Sequence, residues 1–512
     1  MSQSTRADDR ALTRKILWKL DCHILPPLAL LWLANFIDRS NIGNARIAGL
    51  EHDAHLHGNQ FNTVLAVFYI PYLIVEVPSN IVLRKFKPNR WIPFLVFLWG
   101  TVTTLTGLVH NYGGVLAIRL CLGLCEGGLL PGMILYLSTM YKRHEFQLRV
   151  GIFYASASLS GAFGGLLATA ITRMDGIGGL AGWKWIFILE GLATILASLI
   201  AAYVLPADLM SASFFTEEER RFAVQRFKDD TPNSTVLSEF DNSISGNPGS
   251  IDGKEKEEQI ETLTSTQEIT DNVEEEHFEW GEIRRGLLDL QTWLTGVAYF
   301  GLIISLYSYS LFLPTIITGL GYSGPAAQLR TVPPYVPAVV LTVVVALLSD
   351  RLKWRGPFIL ICLPLTIIGY IISITAETNN ARYVAVFFIA AGVYPSGPCI
   401  LSILPNNSSG HYKKATTTAL QLAIANTGGF LATFTYTPDQ APKYIRGHCI
   451  SLAFVSLAWI LIAANVMYCL WENKARREGR RQQNIAQYKA LREAGKTRAP
   501  IGDRDPKFLF TL

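Results

Sequence analysis

The sequence predicts an all-α membrane protein of about twelve transmembrane helices arranged as two six-helix halves. Three observations carry that expectation. Half of the 512 residues are hydrophobic and only 17% are charged, below the roughly 25% of an ordinary soluble domain. The apolar residues gather into blocks of about 20, the length a helix needs to cross the hydrocarbon core. Six blocks precede a long hydrophilic interruption and six follow it.

Residues 1–21 read as a cytoplasmic N-terminal tail, with an interfacial helix over Leu12–Leu20. The tail is mixed in charge and the next apolar run is too long for a leader's core, so no cleavable signal is expected. The N-terminal six-helix half covers residues 22–205, with spans near 22–44, 61–83, 91–110, 114–138, 150–172 and 185–205. Residues 206–292 form an acidic cytoplasmic linker. Its middle, roughly 229–279, has few aromatics and many Glu, Asp, Ser and Thr, and disorder is expected there because little apolar surface is available to bury. Its flanks differ. Thr216-Glu-Glu-Glu219 is a capped helix start, and Trp280–Asp289 an amphipathic interfacial helix. The C-terminal half covers 293–471, with spans near 293–316, 333–349, 357–376, 382–403, 416–436 and 450–471. Residues 472–512 form a basic tail, expected to be solvated, with a helix near Gln487–Ala494.

Short loops set orientation. Arg84–Arg90, Lys142-Arg143, Arg351–Arg355 and Lys413-Lys414 are basic, whereas Glu51–Asn59 has no Lys or Arg. The positive-inside rule then puts both termini in the cytoplasm, with the plasma membrane the expected location. A net charge of +5 spread over membrane-flanking loops gives no continuous basic face for nucleic acid. The seven cysteines lie in or beside apolar runs and read as small hydrophobes; no metal or cofactor is expected. The chain has no HExxH, no GxSxG and no Ser/His/Asp set near a membrane face, so it is not read as an enzyme. A monomer is the expected state.

Charges inside the spans carry the functional signal. Arg119 and Glu126 share one face of span 4, seven residues apart, about 20° around a helix. Each charge in the core costs roughly 2.5–3.5 kcal/mol on insertion scales, and such residues mark ion and substrate paths. Span 1 carries Asp38 and Arg39 near its far end. Counting about 1.5 Å per residue, Asp38, Arg39 and Arg119 fall in one outer layer and Glu126 stands by itself near the midplane. The two halves also repeat: Glu76–Lys85 and Ser349–Gly356 each put basic residues at the cytoplasmic end of a half's second span. Glu76, Arg84, Asp350 and Arg351 are the gate candidates.

These residues carry a family resemblance along nearly the whole chain: Asp38-Arg-Ser-Asn41-Ile-Gly43-Asn44-Ala45, Glu76-Val-Pro-Ser-Asn80, Arg119-x3-Gly123-x2-Glu126-Gly127-x3-Pro131-Gly132, Gly182-Trp-Lys-Trp-Ile-Phe-Ile-Leu-Glu190-Gly191, Ser349-Asp-Arg351 and Asn406-Asn407. The chain resembles major facilitator superfamily transporters, and within them the fungal anion:cation symporters of the allantoate permease and nicotinic acid transporter group. The resemblance implies the major facilitator fold and proton-coupled uptake of a small organic anion. In one departure, Leu83 stands where the superfamily's first cytoplasmic-gate motif usually has Asp.

A carboxylate substrate needs a cation, and arginine's planar fork holds both oxygens while staying charged when dehydrated. Arg39 is therefore the expected clamp, with Arg119 pairing Asp38 in one conformation. Asp38 and Glu126 are the expected proton carriers, because changing partners change a carboxyl's proton affinity. The resemblance adds Tyr72 and Ser158 as substrate contacts. Tyr307, with Tyr299 and Tyr309, offers aromatic faces in span 7, and Asn426 lies in span 11; Pro395-Ser-Gly-Pro398 is expected to break span 10. The expected function is proton symport of a small monocarboxylate such as nicotinate or allantoate. The alternatives are an exporter of an organic acid or secondary metabolite and a nutrient receptor that does not transport.

Overall fold

The computed structural model describes residues 3–229, 279–409, 411–495, 497 and 501–512. The linker middle, where disorder is expected, and the Arg84 and Ser158 side chains lie outside the described residues. The described residues form helices and no strands. They are α1 (Gln3–Ala45), α2 (Gln60–Val67), α3 (Tyr69–Lys85), α4 (Pro88–Thr106), α5 (Tyr112–Glu126), α6 (Leu129–Met140), α7 (Arg143–Ile171), α8 (Gly182–Val204) and α9 (Glu217–Asp229). After the linker come α10 (Trp280–Leu288), α11 (Leu290–Gly319), α12 (Gly324–Arg330), α13 (Val332–Leu352), α14 (Gly356–Thr375), α15 (Asn379–Asn407), α16 (His411–Thr433), α17 (Ile445–Arg477) and α18 (Gln483–Glu493).

Each expected span falls on a helix or a pair of helices. Among the described residues, seven helices are long and apolar enough to cross a membrane by length and composition, and the protein is a multi-pass membrane protein. Rows of large apolar side chains face outward, such as Leu192, Leu196 and Leu199 on α8 and Ile361, Ile368 and Ile371 on α14. A soluble fold would bury such rows; lipid-facing helices expose them.

Four expectations are corrected, three of them by helix boundaries. The interfacial helix and span 1 are one continuous helix, α1, which runs through Pro26 and Pro27. Span 4 is broken just after Glu126, where Gly127 and Gly128 separate α5 from α6. A Cβ on Gly127 would stand 2.5 Å from the Tyr72 carbonyl oxygen, so only glycine lets α5 end against α3. Span 10 is unbroken: α15 passes through Pro395, Pro398 and Pro405. Its buried faces pack on α13 and α14, and the Ser396 hydroxyl donates to the Gly392 carbonyl at 2.8 Å, the kind of support that lets membrane helices tolerate proline. The capped start at Thr216 is present as read, with the Thr216 N–H donating to Glu219 Oε2 at 3.0 Å.

The fourth correction is the C-terminal tail, which is docked and not solvated. The Asn407 side chain donates to the Thr511 carbonyl at 3.0 Å and accepts the Thr511 N–H at 2.8 Å. Asn473 exchanges a similar pair with Phe510, both at 2.8 Å. Asp503 takes Lys413 at 2.6 Å and Arg285 at 3.0 Å. The basic loop residues that read as topology signals are thus partly occupied by the tail's own acids and carbonyls.

Helix packing repeats between the two sets of spans. In the first, α1 packs on α7 and α8, α4 on α8, and α3 on α5; in the second, α11 packs on α16 and α17, α14 on α17, and α13 on α15. The sets meet where α1 touches α11, α7 touches α12 and α13, and α2 and α3 touch α16. Much of that seam lies at the end away from the basic loops. There the Asn62 side chain donates to the Thr433 carbonyl at 2.6 Å, and Gln328 donates to the Asn44 carbonyl at 3.4 Å. Gly43 lies so close to α11 that a Cβ would stand 2.3 Å from the Leu311 oxygen.

Candidate functional site

The charged residues of spans 1 and 4 meet in the interior. Glu126, 1% exposed, ends α5 and points its Oε2 at three donors: Asn35 Nδ2 at 2.8 Å, Arg39 Nη2 at 3.2 Å and Arg39 Nε at 3.3 Å. Asn35 and Arg39 are four residues apart on α1, so one helix face supplies all three. The Arg39 guanidinium uses Nη1 to donate to the Tyr307 hydroxyl at 2.9 Å, across the seam. Four rings surround it, with centroids 5.8 Å (Phe36), 5.4 Å (Phe68), 5.2 Å (Tyr72) and 5.5 Å (Tyr307) from Cζ. This is cation–π range. Tyr69 stacks on Tyr307 at 5.9 Å and extends the aromatic wall.

Depth counted along the backbone therefore misplaced one residue. Glu126 does not stand by itself. It is the partner of Arg39, because the arginine side chain reaches several ångströms along the helix axis and the count considered only backbone rise.

Asp38 points the other way around α1. Its Oδ2 accepts the Trp99 indole N–H at 3.1 Å, while Oδ1 is buried without a partner. Asp38 is a charged neighbour of Glu126, whose Oε1 is likewise buried and unpartnered. Arg119, 5% exposed, is near Asp38 and Glu126, yet its Nε and Nη2 have no partner. The expected Asp38–Arg119 ion pair is not formed in this conformation.

A third acid, Glu190 on α8, joins the cluster. Its Oε2 accepts Asn41 Nδ2 at 2.7 Å, and Asp38, Arg119 and Glu126 are its charged neighbours. The reading of the sequence assigned it no role. Its signal was available: a carboxylate inside an apolar run, and Asn35, Asp38 and Asn41 recurring every three residues on the facing helix.

Other candidates lie apart from this centre. Asn426 Nδ2 donates to Glu76 Oε2 at 3.3 Å, which joins α16 to α3 across the seam; Glu76 acts on Tyr72 and so adjoins the aromatic wall. Asp350 pairs with Arg355 and pins its own loop, and Arg351 is exposed; neither reaches the cluster. Tyr309 faces away from Arg39, its ring 5.7 Å from that of Tyr335 and 6.3 Å from that of Tyr394. The arrangement can hold a planar anion at Arg39 between aromatic faces, and can bind and release protons on the acids beside it.

Comparison with known proteins agrees with this architecture. The family model described as Major Facilitator Superfamily matches residues 28–433. An uncharacterized transporter of Schizosaccharomyces pombe is 34% identical over 498 residues, covering 97% of this chain and 90% of that one. The high-affinity nicotinic acid transporter of Saccharomyces cerevisiae is 29% identical over 462 residues, covering 90% and 79%. Among solved structures, a bacterial homolog of the human lysosomal transporter Spinster, inward-facing and unoccupied, superposes with a TM-score of 0.59 at 15% identity, covering 86% of this chain and 95% of that one. The partially occluded inward-open xylose transporter XylE of E. coli gives 0.58 at 15%, covering 85% and 98%.

Proposed function

The chain belongs to the Major Facilitator Superfamily, and on that footing we propose that it is a proton-coupled symporter of a small organic monocarboxylate, working by alternating access. One observation carries the reading: Arg39, the cation best placed to receive a carboxylate, is held by Glu126 inside a cage of aromatic rings. A substrate anion and Glu126 compete for one guanidinium. Protonating Glu126 releases Arg39 to the substrate, so proton and anion favour each other, which is the thermodynamic content of symport. The rings favour a flat, apolar remainder on the substrate, and the likeness to a nicotinic acid transporter makes nicotinate the first probe.

In this reading the two six-helix halves, 22–205 and 293–471, move about the seam, with the basic loops and both termini in the cytoplasm of a plasma-membrane protein. The test is uptake of labelled nicotinate, with unlabelled monocarboxylates as competitors, at pH 5 and pH 7.5 with and without a protonophore. Uptake stimulated by acid and lost with the protonophore supports the proposal. Uptake that ignores both, or saturable binding without uptake, refutes it.

A further inference from the structure

We propose that Glu190 is a third proton-linked carboxylate of the transport site, and that it gives the empty site a resident proton. The inference rests on the symport reading above and adds a residue which that reading does not need.

The argument is one of charge. The buried cluster holds three carboxylates, Asp38, Glu126 and Glu190, and two guanidiniums, Arg39 and Arg119. Fully ionised it carries a net negative charge, and an unbalanced charge in a protein interior costs several kcal/mol. One bound proton makes it neutral. A monocarboxylate entering at Arg39 adds a further negative charge, and a second proton restores neutrality. The predicted exchange is one proton carried with one anion, over a resident proton that stays with the empty carrier.

Geometry places Glu190 in this set and not in a separate structural pair. Of its two oxygens only Oε2 has a partner, the Asn41 amide at 2.7 Å; Oε1 is buried and unpartnered. Arg119 nearby leaves Nε and Nη2 unpartnered. The charged groups facing Glu190 are Asp38 from α1 and Arg119 and Glu126 from α5. Among the neighbours on α4, Trp99 donates to Asp38 and carries no charge. Asn41 in turn accepts Asn44 Nδ2 at 3.1 Å, and the Asn44 carbonyl accepts Gln328 from the other helix set. Glu190 is therefore joined by amides to the seam that must open. The resident proton belongs to the coupled set and not to one atom.

The expected result is the reverse of what a structural residue would give. Glu190→Gln removes one negative charge, so the empty site is neutral without a proton. Infrared difference titration of reconstituted protein, which needs no substrate, is expected to show one fewer protonated carboxyl near neutral pH in Glu190→Gln than in the wild type. Glu190→Asp is expected to restore it. Unchanged carboxyl bands in Glu190→Gln overturn the proposal. In nicotinate counterflow, the alkaline limb of Glu190→Gln is expected to move up by about one pH unit, about fivefold more exchange where the wild type has fallen to a tenth. Uniform loss at every pH overturns the proposal. If wild-type uptake shows no acid stimulation, the symport reading fails by itself, and the infrared comparison still decides the role of Glu190.

Discussion

Glu126→Gln gives the sharpest test of the competition at Arg39. The substitution keeps size and shape and removes the charge. Glu126 Oε2 accepts both Arg39 Nη2 at 3.2 Å and Arg39 Nε at 3.3 Å. A hydrogen bond to a charged group contributes about 1.5–3 kcal/mol, and because both donors share one oxygen we count them as one such interaction. A substrate anion must displace it in the wild type above the pH at which Glu126 ionises. Without that competitor, affinity for the monocarboxylate identified by the uptake panel should rise at pH 8, by up to about 10- to 140-fold where Glu126 is fully ionised in the wild type and by less where part of it is still protonated. Glutamine still accepts through its own oxygen, so the lower end is expected. Near pH 5, where protonation does in the wild type what the mutation does permanently, the two proteins should converge. Accumulation against a gradient should be lost in the mutant while exchange persists. Equilibrium binding to purified protein at both pH values measures this. If Glu126→Gln binds more weakly than the wild type at pH 8, Glu126 is not the competitor, and the assignment of Arg39 as clamp falls with it.

Three further outcomes follow from the same contacts. Arg39→Lys keeps the charge but loses the fork and the Tyr307 bond at 2.9 Å; monocarboxylate binding should weaken at least tenfold, by about 1.5–3 kcal/mol, and an unchanged KM would contradict the clamp. Gly43→Ala puts a Cβ 2.3 Å from the Leu311 oxygen, so thiol labelling of cysteines placed at the seam end should increase and exchange should slow, whereas Gly281→Ala, where nothing lies within 4 Å, should do neither. Asp503→Asn removes one partner from a buried ion cluster, costing about 3–5 kcal/mol, towards the lower figure because Lys413 keeps Asp289 at 2.5 Å. Burial pushes the Asp503 carboxyl up, but Lys413 and Arg285 more than offset that and hold it below the ordinary carboxylate range. Its contribution is therefore complete above the unfolded value, about 3.9, and is lost only as pH falls through the depressed native one. The gap in thermal stability between wild type and Asp503→Asn should be constant from pH 5 to pH 8 and shrink below pH 4; a gap that closes between pH 7 and pH 5 would contradict this.

Much of the fold was legible because a membrane imposes a length. Twenty apolar residues between polar loops admit few alternatives, and the segments near 293–316 and 357–376 match α11 and α14 closely. The breaks were harder. Pro395 and Pro398 look like breakers on paper, but support from packed neighbours decides the outcome, and a sequence does not show neighbours. Gly127-Gly128 does break span 4, because the Tyr72 backbone lies against it. At the site, residue type carried most of the signal: a buried Arg, Asp and Glu can hardly be idle in hydrocarbon. Pairing was lost because it depends on side-chain reach and helix rotation. Arg39 met Glu126 and not the acid beside it in the chain. Glu190 was passed over because its place beside Arg119 depends on how α8 packs on α1.

The charge pairs at the helix ends that carry the basic loops differ in kind from the bonds across the seam. In the first helix set, Arg149 at the start of α7 holds Asp21 on α1 at 2.8 Å, and Glu219 of the segment after α8 takes Lys19 at 2.6 Å. In the second, Lys413 at the start of α16 holds Asp289, next to α11, at 2.5 Å, and Asp503 of the segment after α17 takes Lys413 and Arg285. Each set is thus tied in the same way, fifth span to first, with the following segment folded back beneath. The Arg149–Asp21, Lys19–Glu219 and Lys413–Asp289 pairs each have one buried and one part-exposed partner, so removing one costs less than the ~3–5 kcal/mol of a fully buried pair. The seam between the sets is held by bonds of another kind: Asn62 to two carbonyls at 2.6 and 3.3 Å, Gln328 to Asn44 at 3.4 Å, and Asn426 to Glu76 at 3.3 Å. The amide-to-carbonyl bonds contribute about 0.5–1.5 kcal/mol each and the Asn426–Glu76 bond, made to a carboxyl group, up to about 3 kcal/mol, several kcal/mol together, the scale on which a bound ligand can shift a two-state equilibrium. The ion pairs lie within each set and the amide bonds between them, so on the proposed alternating access the seam is the place to open. Arg39 reaches across that seam to Tyr307, so on the proposed mechanism the competition for its guanidinium falls on a contact that spans the two sets.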